Sequence, residues 1–327
     1  MKTFKAYRTT EENGEYISKI EELSFDLLSN DVIIKTAYSG INYKDLLSIS
    51  GNKGVTKKYP HTAGIDACGI IVSDKTGTFT SGDEVVVMGY DLGMNTDGGF
   101  AEYISVPVDW VIHKPSRFTL QETMEIGTSG FTAALGISKM LQMGAIPSDG
   151  PVIVSGATGG VGVYAVQILS KIGFEVCAVT GKKETEELLY KLGAKSILSR
   201  EEICVPKEKP LVRPRWAGGI DTVGGDTLVN LLKQCKKSGS IATCGNVGGM
   251  DLNMTVLPFI LNGINLLGIN AADTPMNNRM KVWELLEKYA EPSLVSKTGK
   301  EISLDQISDA IESMRKSSHT GRFLIKL

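Results

Sequence analysis

The run Ser155-Gly156-Ala157-Thr158-Gly159-Gly160-Val161-Gly162 holds the residue types that let main chain wrap an anion. Without a Cβ at 159 and 162, backbone can approach a pyrophosphate and a following helix can pack close to the strand before it. The first turn of that helix offers unpaired N–H groups and a partial positive charge to phosphate. The flanks supply the context such a run needs. Val152-Ile153-Val154 reads as a buried strand, residues 163–171 as a helix, and Glu175-Val176-Cys177-Ala178-Val179 as the next strand. Ala157 stands where the common fingerprint has its first glycine.

The end of the second strand selects the dinucleotide. An NAD site usually carries Asp or Glu there, accepting from the ribose 2′-hydroxyl. This chain has Thr180-Gly181-Lys182-Lys183, and Arg200 after the third strand reaches for the same pocket. Hydroxyl, ammonium and guanidinium groups bind a 2′-phosphate that a carboxylate would repel. NADPH is the cofactor these residues predict.

The elements that must position this chemistry fall into two textures. Before residue 120, short alternating runs broken by glycine or proline read as strands: 32–38, 69–72, 84–88, 100–106 and 110–112. Thr119 with Glu122 forms a capping box that opens a helix. From Pro151 onward strands and helices alternate, with further strands at 196–198, 219–223, 239–243 and 265–269, then a polar helix at 278–289. That alternation predicts a parallel doubly wound sheet, and the last strand, 321–327, is expected to return to the first domain. The expected organisation is therefore α/β: a β-rich domain of residues 1–120 with 290–327, and a Rossmann domain of residues 121–289.

With 327 residues the chain exceeds one ordinary core. A net charge of −2 gives no general attraction to nucleic acid or anionic lipid, so neither is an expected partner. The N-terminus Met1-Lys2-Thr3-Phe4-Lys5-Ala6-Tyr7 lacks the apolar core of a signal peptide, and no apolar run reaches the roughly 20 residues that span a bilayer. Five scattered cysteines predict neither a disulfide framework nor a metal knot. A cytoplasmic protein is expected.

Several motifs carry a resemblance. Gly40-Ile41-Asn42-Tyr43-Lys44-Asp45, Gly64-Ile65-Asp66 and Gly127-Thr128-Ser129-Gly130-Phe131-Thr132, with the glycine run, resemble medium-chain dehydrogenase/reductases in order and spacing across almost the whole chain. Zinc members have Cys and His where this chain has Asn42 and Tyr43, and His where it has Ile65. Amide, phenol and alkyl groups do not replace those N and S donors, so no zinc is expected. His61, His113 and His319 lie off the ligand positions, His61 being read as a loop residue. Within the zinc-free branch, Asn42-Tyr43-Lys44-Asp45-Leu46, Gly64–Gly69, Trp216–Gly224, Pro258-Phe259-Ile260-Leu261 and Gly321-Arg322 resemble the acryloyl-CoA reductase family, many of whose members carry a quinone oxidoreductase label.

The resemblance implies a GroES-like catalytic domain beside the Rossmann domain. It implies NADPH contacts at Tyr43, Thr158, Gly159, Gly160, Val161, Thr180, Gly181, Lys182 and Arg200, and by position at Asn246, Ile260, Ala271 and Ser317, with Thr128 near the nicotinamide. The expected reaction is reduction of an activated C=C bond, acryloyl-CoA to propanoyl-CoA, with quinone or enone reduction as the alternative. An NADPH-binding module without chemistry would bind the dinucleotide and oxidise none. Asn42 and Tyr43 are the catalytic donor candidates, Tyr43 equally a ring packed on the nicotinamide. Lys53, Lys57 and Lys58 form a basic rim suited to CoA phosphates. A homodimer is expected through the apolar strand at 265–269.

Overall fold

The computed structural model describes residues 2–295, 299–316 and 321–327. The chain divides into two compact units, one of residues 1–128 with 296–327 and the other Ser129–Val295.

In the first unit, strands β1 (Thr3–Glu12) and β2 (Glu15–Ser24) form an antiparallel hairpin, and β4 (His61–Thr62) pairs with β1. A second sheet is built on β3 (Val32–Gly40). β5 (Asp66–Asp74) runs antiparallel beside it, followed by β6 (Glu84–Met88) and β8 (Val111–His113), while β7 (Tyr103–Val106) pairs with β3. The closing strand Phe323–Lys326 pairs antiparallel with β3, and Lys300–Ile302 pairs with that strand in turn. Alternating residues of the central strands (Val32 and Ile34, Ala67, Val85 and Val87) bury together with Ile104, as period-2 patterning requires. Helix α1 (Tyr43–Ile49) buries Leu46 and Ile49 against Ile307 and Ile311 of the helix Ile307–Arg315.

Neither the β1–β2 hairpin nor α1 is among the expected elements, although Asn13-Gly14, both at positive φ (53° and 85°), carries the signature of a two-residue hairpin turn. The hairpin is largely exposed on β2, and α1 is only seven residues long. His61 is a strand residue, not the loop residue expected of it, because its main chain pairs with Thr9.

Helix α2 (Leu120–Gln142) opens on the anticipated box. Thr119 N donates to Glu122 Oε2 at 2.9 Å, and Glu122 N donates to Thr119 Oγ1 at 3.2 Å. It breaks at Gly127, whose φ of 41° and ψ of −155° are non-helical.

The second unit is a six-stranded parallel sheet: β9 (Val152–Val154), β10 (Val176–Val179), β11 (Ala194–Leu198), β12 (Trp216–Asp221), β13 (Cys235–Thr243) and β14 (Asn265–Gly268). Their spatial order is β11-β10-β9-β12-β13-β14, the doubly wound order that reverses between β9 and β12. β9, β10 and β12 are wholly buried, and β9 and β10 read as continuous apolar runs. Helix α3 (Gly160–Ile172) follows β9 and ends on Gly173 in the left-handed conformation. Helices α4 (Glu186–Lys191), α5 (Gly225–Lys233), α6 (Leu257–Asn262) and α7 (Met276–Tyr289) complete the alternation. β12 starts earlier than its sequence pattern suggests and stops at Asp221. Its carboxylate accepts from Val223 N (3.3 Å) and Gly224 N (2.9 Å), which turns the chain out of the strand.

Candidate functional site

In the second unit, the loops leaving β9 and β12 meet where the strand order reverses, the crevice in which such sheets bind ligands. Ser155 Oγ donates to Asp221 Oδ1 at 2.7 Å, Thr222 N donates to Ser155 Oγ at 3.0 Å, and Thr222 Oγ1 donates to Ser155 O at 2.9 Å. Asp221 is fully buried and also accepts from Thr243 Oγ1 at 2.9 Å. A buried carboxylate is tolerated when each oxygen is hydrogen-bonded, and here that satisfaction stitches three strand ends together. Sequence reasoning gave Ser155 and Asp221 no role. A Ser and an Asp closing apolar strands were the available signal.

The glycines divide the work. Gly156 has φ +58°, and a Cβ there would lie 2.3 Å from Thr222 Oγ1. A Cβ on Gly162 would lie 2.2 Å from Gly156 O, so its absence lets α3 pack onto the turn. Gly159 is different, since a Cβ there would meet only Gly156 O at 3.4 Å and otherwise project into open space. Thr158 and Thr180 are buried, and Thr180 Oγ1 accepts from Lys182 N at 3.0 Å. Arg200 lies across Gly181, its Nε 3.3 Å from where a Cβ would be. Thr180, Gly181, Lys182 and Arg200 are thus brought to one place.

Beyond the ends of β13 and β14 lies an open cavity of about 650 Å³, lined by residues that include Thr243, Cys244, Gly245, Ile269 and Asn270. Asn246 follows this lining on an exposed loop, and Ala271 follows it after β14. Ala271 is held by Arg279, which is buried and whose Nη2 donates to the carbonyls of Ala271 (3.3 Å) and Ala272 (3.1 Å). Ile260 is exposed on α6. Ser317 lies outside the described residues.

In the first unit, Asn42 and Tyr43 begin α1. Asp45 locks the turn: Oδ2 accepts from Asn42 N at 2.7 Å, and Oδ1 from Gly64 N (3.0 Å) and Ile65 N (2.9 Å). Burial, reinforced by the charge of Asp66, pushes the Asp45 carboxyl up to about 7 against the pull of those three donors.

The Asn42 side chain is fully engaged. Its Nδ2 donates to Gly40 O (3.2 Å) and Asp66 Oδ2 (3.1 Å), and its Oδ1 accepts from Arg322 Nη2 at 3.3 Å. An amide with both hydrogens so committed has none left for a developing oxyanion. The Asn42 amide is thus held in place by its neighbours, and the Tyr43 side chain is 46% exposed. Thr128 N donates to Asp66 Oδ2 at 2.9 Å. Sequence reasoning left Asp45, Asp66 and Arg322 without a role.

The three lysines separate. Lys53 Nζ lies 2.7 Å from Glu11 Oε2 and over the rings of Tyr59 (4.9 Å) and Tyr16 (5.4 Å). That ion pair is solvent-exposed, and Lys57 and Lys58 are exposed as well. Among the described residues no group of three or more His, Cys, Asp or Glu is placed to hold a metal ion. No described helix is long and apolar enough to cross a membrane.

Family models match both units: residues 29–116 match the alcohol dehydrogenase GroES-like domain and residues 160–288 the zinc-binding dehydrogenase domain. The acrylyl-CoA reductase AcuI of Ruegeria pomeroyi is 40% identical over 279 residues, 85% of this chain and 84% of that protein. The chain belongs to the medium-chain dehydrogenase/reductases. YhfP of Bacillus subtilis, a quinone oxidoreductase by name, is 42% identical over 303 residues, 92% of each chain. Its crystal structure with NAD bound superposes with a TM-score of 0.96 over all of both chains, at 39% identity. The yhdH oxidoreductase of Salmonella enterica in complex with NADP gives a TM-score of 0.95 at 36% identity over 99% of each chain. The GroES-like and Rossmann-like pairing expected from the sequence is the fold of this chain.

Proposed function

We propose that this protein reduces an activated C=C bond with NADPH and without a metal, acryloyl-CoA being its substrate. The observation that carries the reading is the pair of residues at the start of α1. Where zinc members of the family have soft ligands, this chain has an amide committed to its own neighbours and an accessible phenol.

The second unit fits NADPH. The open face at Gly159, together with the N-terminus of α3, would hold the pyrophosphate; Thr180, Lys182 and Arg200 would hold the 2′-phosphate. The β10 end has no carboxylate to repel that phosphate. When bound, NADPH would supply the hydride that reaches the β-carbon of the conjugated bond, and the α-carbon of the resulting enolate would take a proton that comes from solvent, giving propanoyl-CoA and NADP+.

What the protein adds is alignment and electrostatics. Tyr43 presents its hydroxyl to the carbonyl oxygen on which enolate charge builds, and a preorganised donor there favours the transition state over the ground state. Ile65 and the committed Asn42 offer no ligand to a metal that would otherwise polarise that oxygen. The relatedness to AcuI favours the CoA thioester, and the name of YhfP favours the alternative of quinone reduction. A homodimer joined through the open edge of β14 accords with the sheet order, in which that strand is terminal.

Lys57 and Lys58 distinguish the two substrates, because a CoA ester carries phosphates and a simple quinone carries none. Replacing both with alanine should raise KM for acryloyl-CoA several-fold, increasingly so at low salt, and leave KM for a quinone unchanged. An unaltered KM for the CoA ester would remove the lysines from substrate binding.

A further inference from the structure

Arg322 is only 8% exposed, yet it carries a full charge near the end of the chain. Its guanidinium fills a notch that admits no side chain on either wall. A Cβ on Gly40 would fall 2.1 Å from Nη2, and one on Gly127 would fall 1.8 Å from Nη1. Inside the notch, Nη1 donates to the carbonyls of Met124 (2.8 Å) and Ile126 (3.1 Å), while Nη2 donates to Asn42 Oδ1 and to Asp66 Oδ2. Asp66 passes the connection on: Oδ2 accepts from Asn42 Nδ2 and Thr128 N, and Oδ1 accepts from Gly40 N at 3.0 Å. One side chain thus joins three segments distant in sequence, namely the β3–α1 junction, the start of β5, and α2 at its break.

We propose that Arg322 is a positioning residue for the reduction: through Asp66 and Asn42 it fixes where Tyr43 and the Thr128 backbone stand, without touching the reacting atoms. The proposal rests on the reading of Tyr43 as the donor. A planar fork of five donors is what four acceptors on separate segments require, and a lysine ammonium does not span them. A buried ion pair is by itself a weak source of stability, since desolvation offsets most of its attraction. The value of this one lies in the geometry it imposes. Gly40 serves the same end, because its bare Cα leaves the guanidinium its seat.

The test compares the full-length wild type with Arg322→Lys, Arg322→Ala, Gly40→Ala and the Gly40→Ala/Arg322→Ala double variant. Hydrogen exchange read by mass spectrometry should quicken by about 10-fold or more in peptides covering 40–46 and 124–128 of Arg322→Lys, with β6 and β9 unchanged. With the acceptor that wild type turns over, kcat should fall by about 100-fold with KM little changed, the cost of a small misplacement near the reacting centre. Gly40→Ala should behave like Arg322→Ala, and the double variant should be no worse than Arg322→Ala alone, since the clash disappears with the guanidinium. Exchange that is unchanged in those two segments, or that rises equally along the whole chain, would overturn the proposal, as would additive losses in the double variant. The exchange readout needs no substrate. A wild type that fails to oxidise NADPH with any of the acceptors would count against the proposed reaction and leave exchange to decide on Arg322.

Discussion

Replacing Gly162 with valine should raise the Kd for NADPH by about 100-fold or more, because the new side chain meets backbone rather than a movable group. Its Cβ would sit 2.2 Å from Gly156 O and 2.7 Å from Ala157 Cα, so α3 must move off the turn whose N–H groups would face the phosphates of a bound cofactor. Gly159→Ala is the companion that separates cofactor binding from folding. Its φ of −78° suits any residue and its Cβ meets nothing closer than 3.4 Å, so the melting temperature should hold while the methyl group obstructs the pyrophosphate. Fluorescence titration of NADPH with both variants checks the pair. Wild-type affinity in Gly162→Val would show that the turn does not carry the cofactor.

Reversing the charge at Arg200 should invert the choice of dinucleotide. On the proposed reading Arg200→Glu would remove a charge-assisted hydrogen bond to the 2′-phosphate and set a carboxylate beside it, shifting the ratio of NADPH to NADH affinity by about 100-fold toward NADH. The side chain is exposed and lies flat across Gly181, so the substitution disturbs no core. Titration with each dinucleotide reads the ratio. Equal weakening of both would mean that Arg200 supports the loop and does not read the phosphate.

Much of this was legible in the sequence, and the reason differs between the units. The parallel sheet announces itself because β9 and β10 are wholly buried and read as unbroken apolar runs, with a glycine run directly after β9. The first unit hides more. Its hairpin β1–β2 is marked by the Asn13-Gly14 turn more than by alternation, since no residue of β2 is buried, and α1 is too short to show a helical period. The role of Asn42 was obscured for a different reason. A residue type says what it can donate, whereas its partners decide whether it is free to do so. Those partners, Asp66 and Arg322, stand 24 and 280 residues away. The same holds for Lys53, whose partner Glu11 stands 42 residues away.

The central claim is the reduction of a conjugated CoA ester. The most direct measurement follows NADPH absorbance with acryloyl-CoA and with simple quinones, with the acyl product identified by mass spectrometry. The account predicts one propanoyl-CoA formed per NADPH consumed, and a kcat/KM for acryloyl-CoA at least about 10-fold above that for any quinone. Quinone turnover equal to or better than that of the CoA ester would contradict it. So would tight NADPH binding with no oxidation by any acceptor.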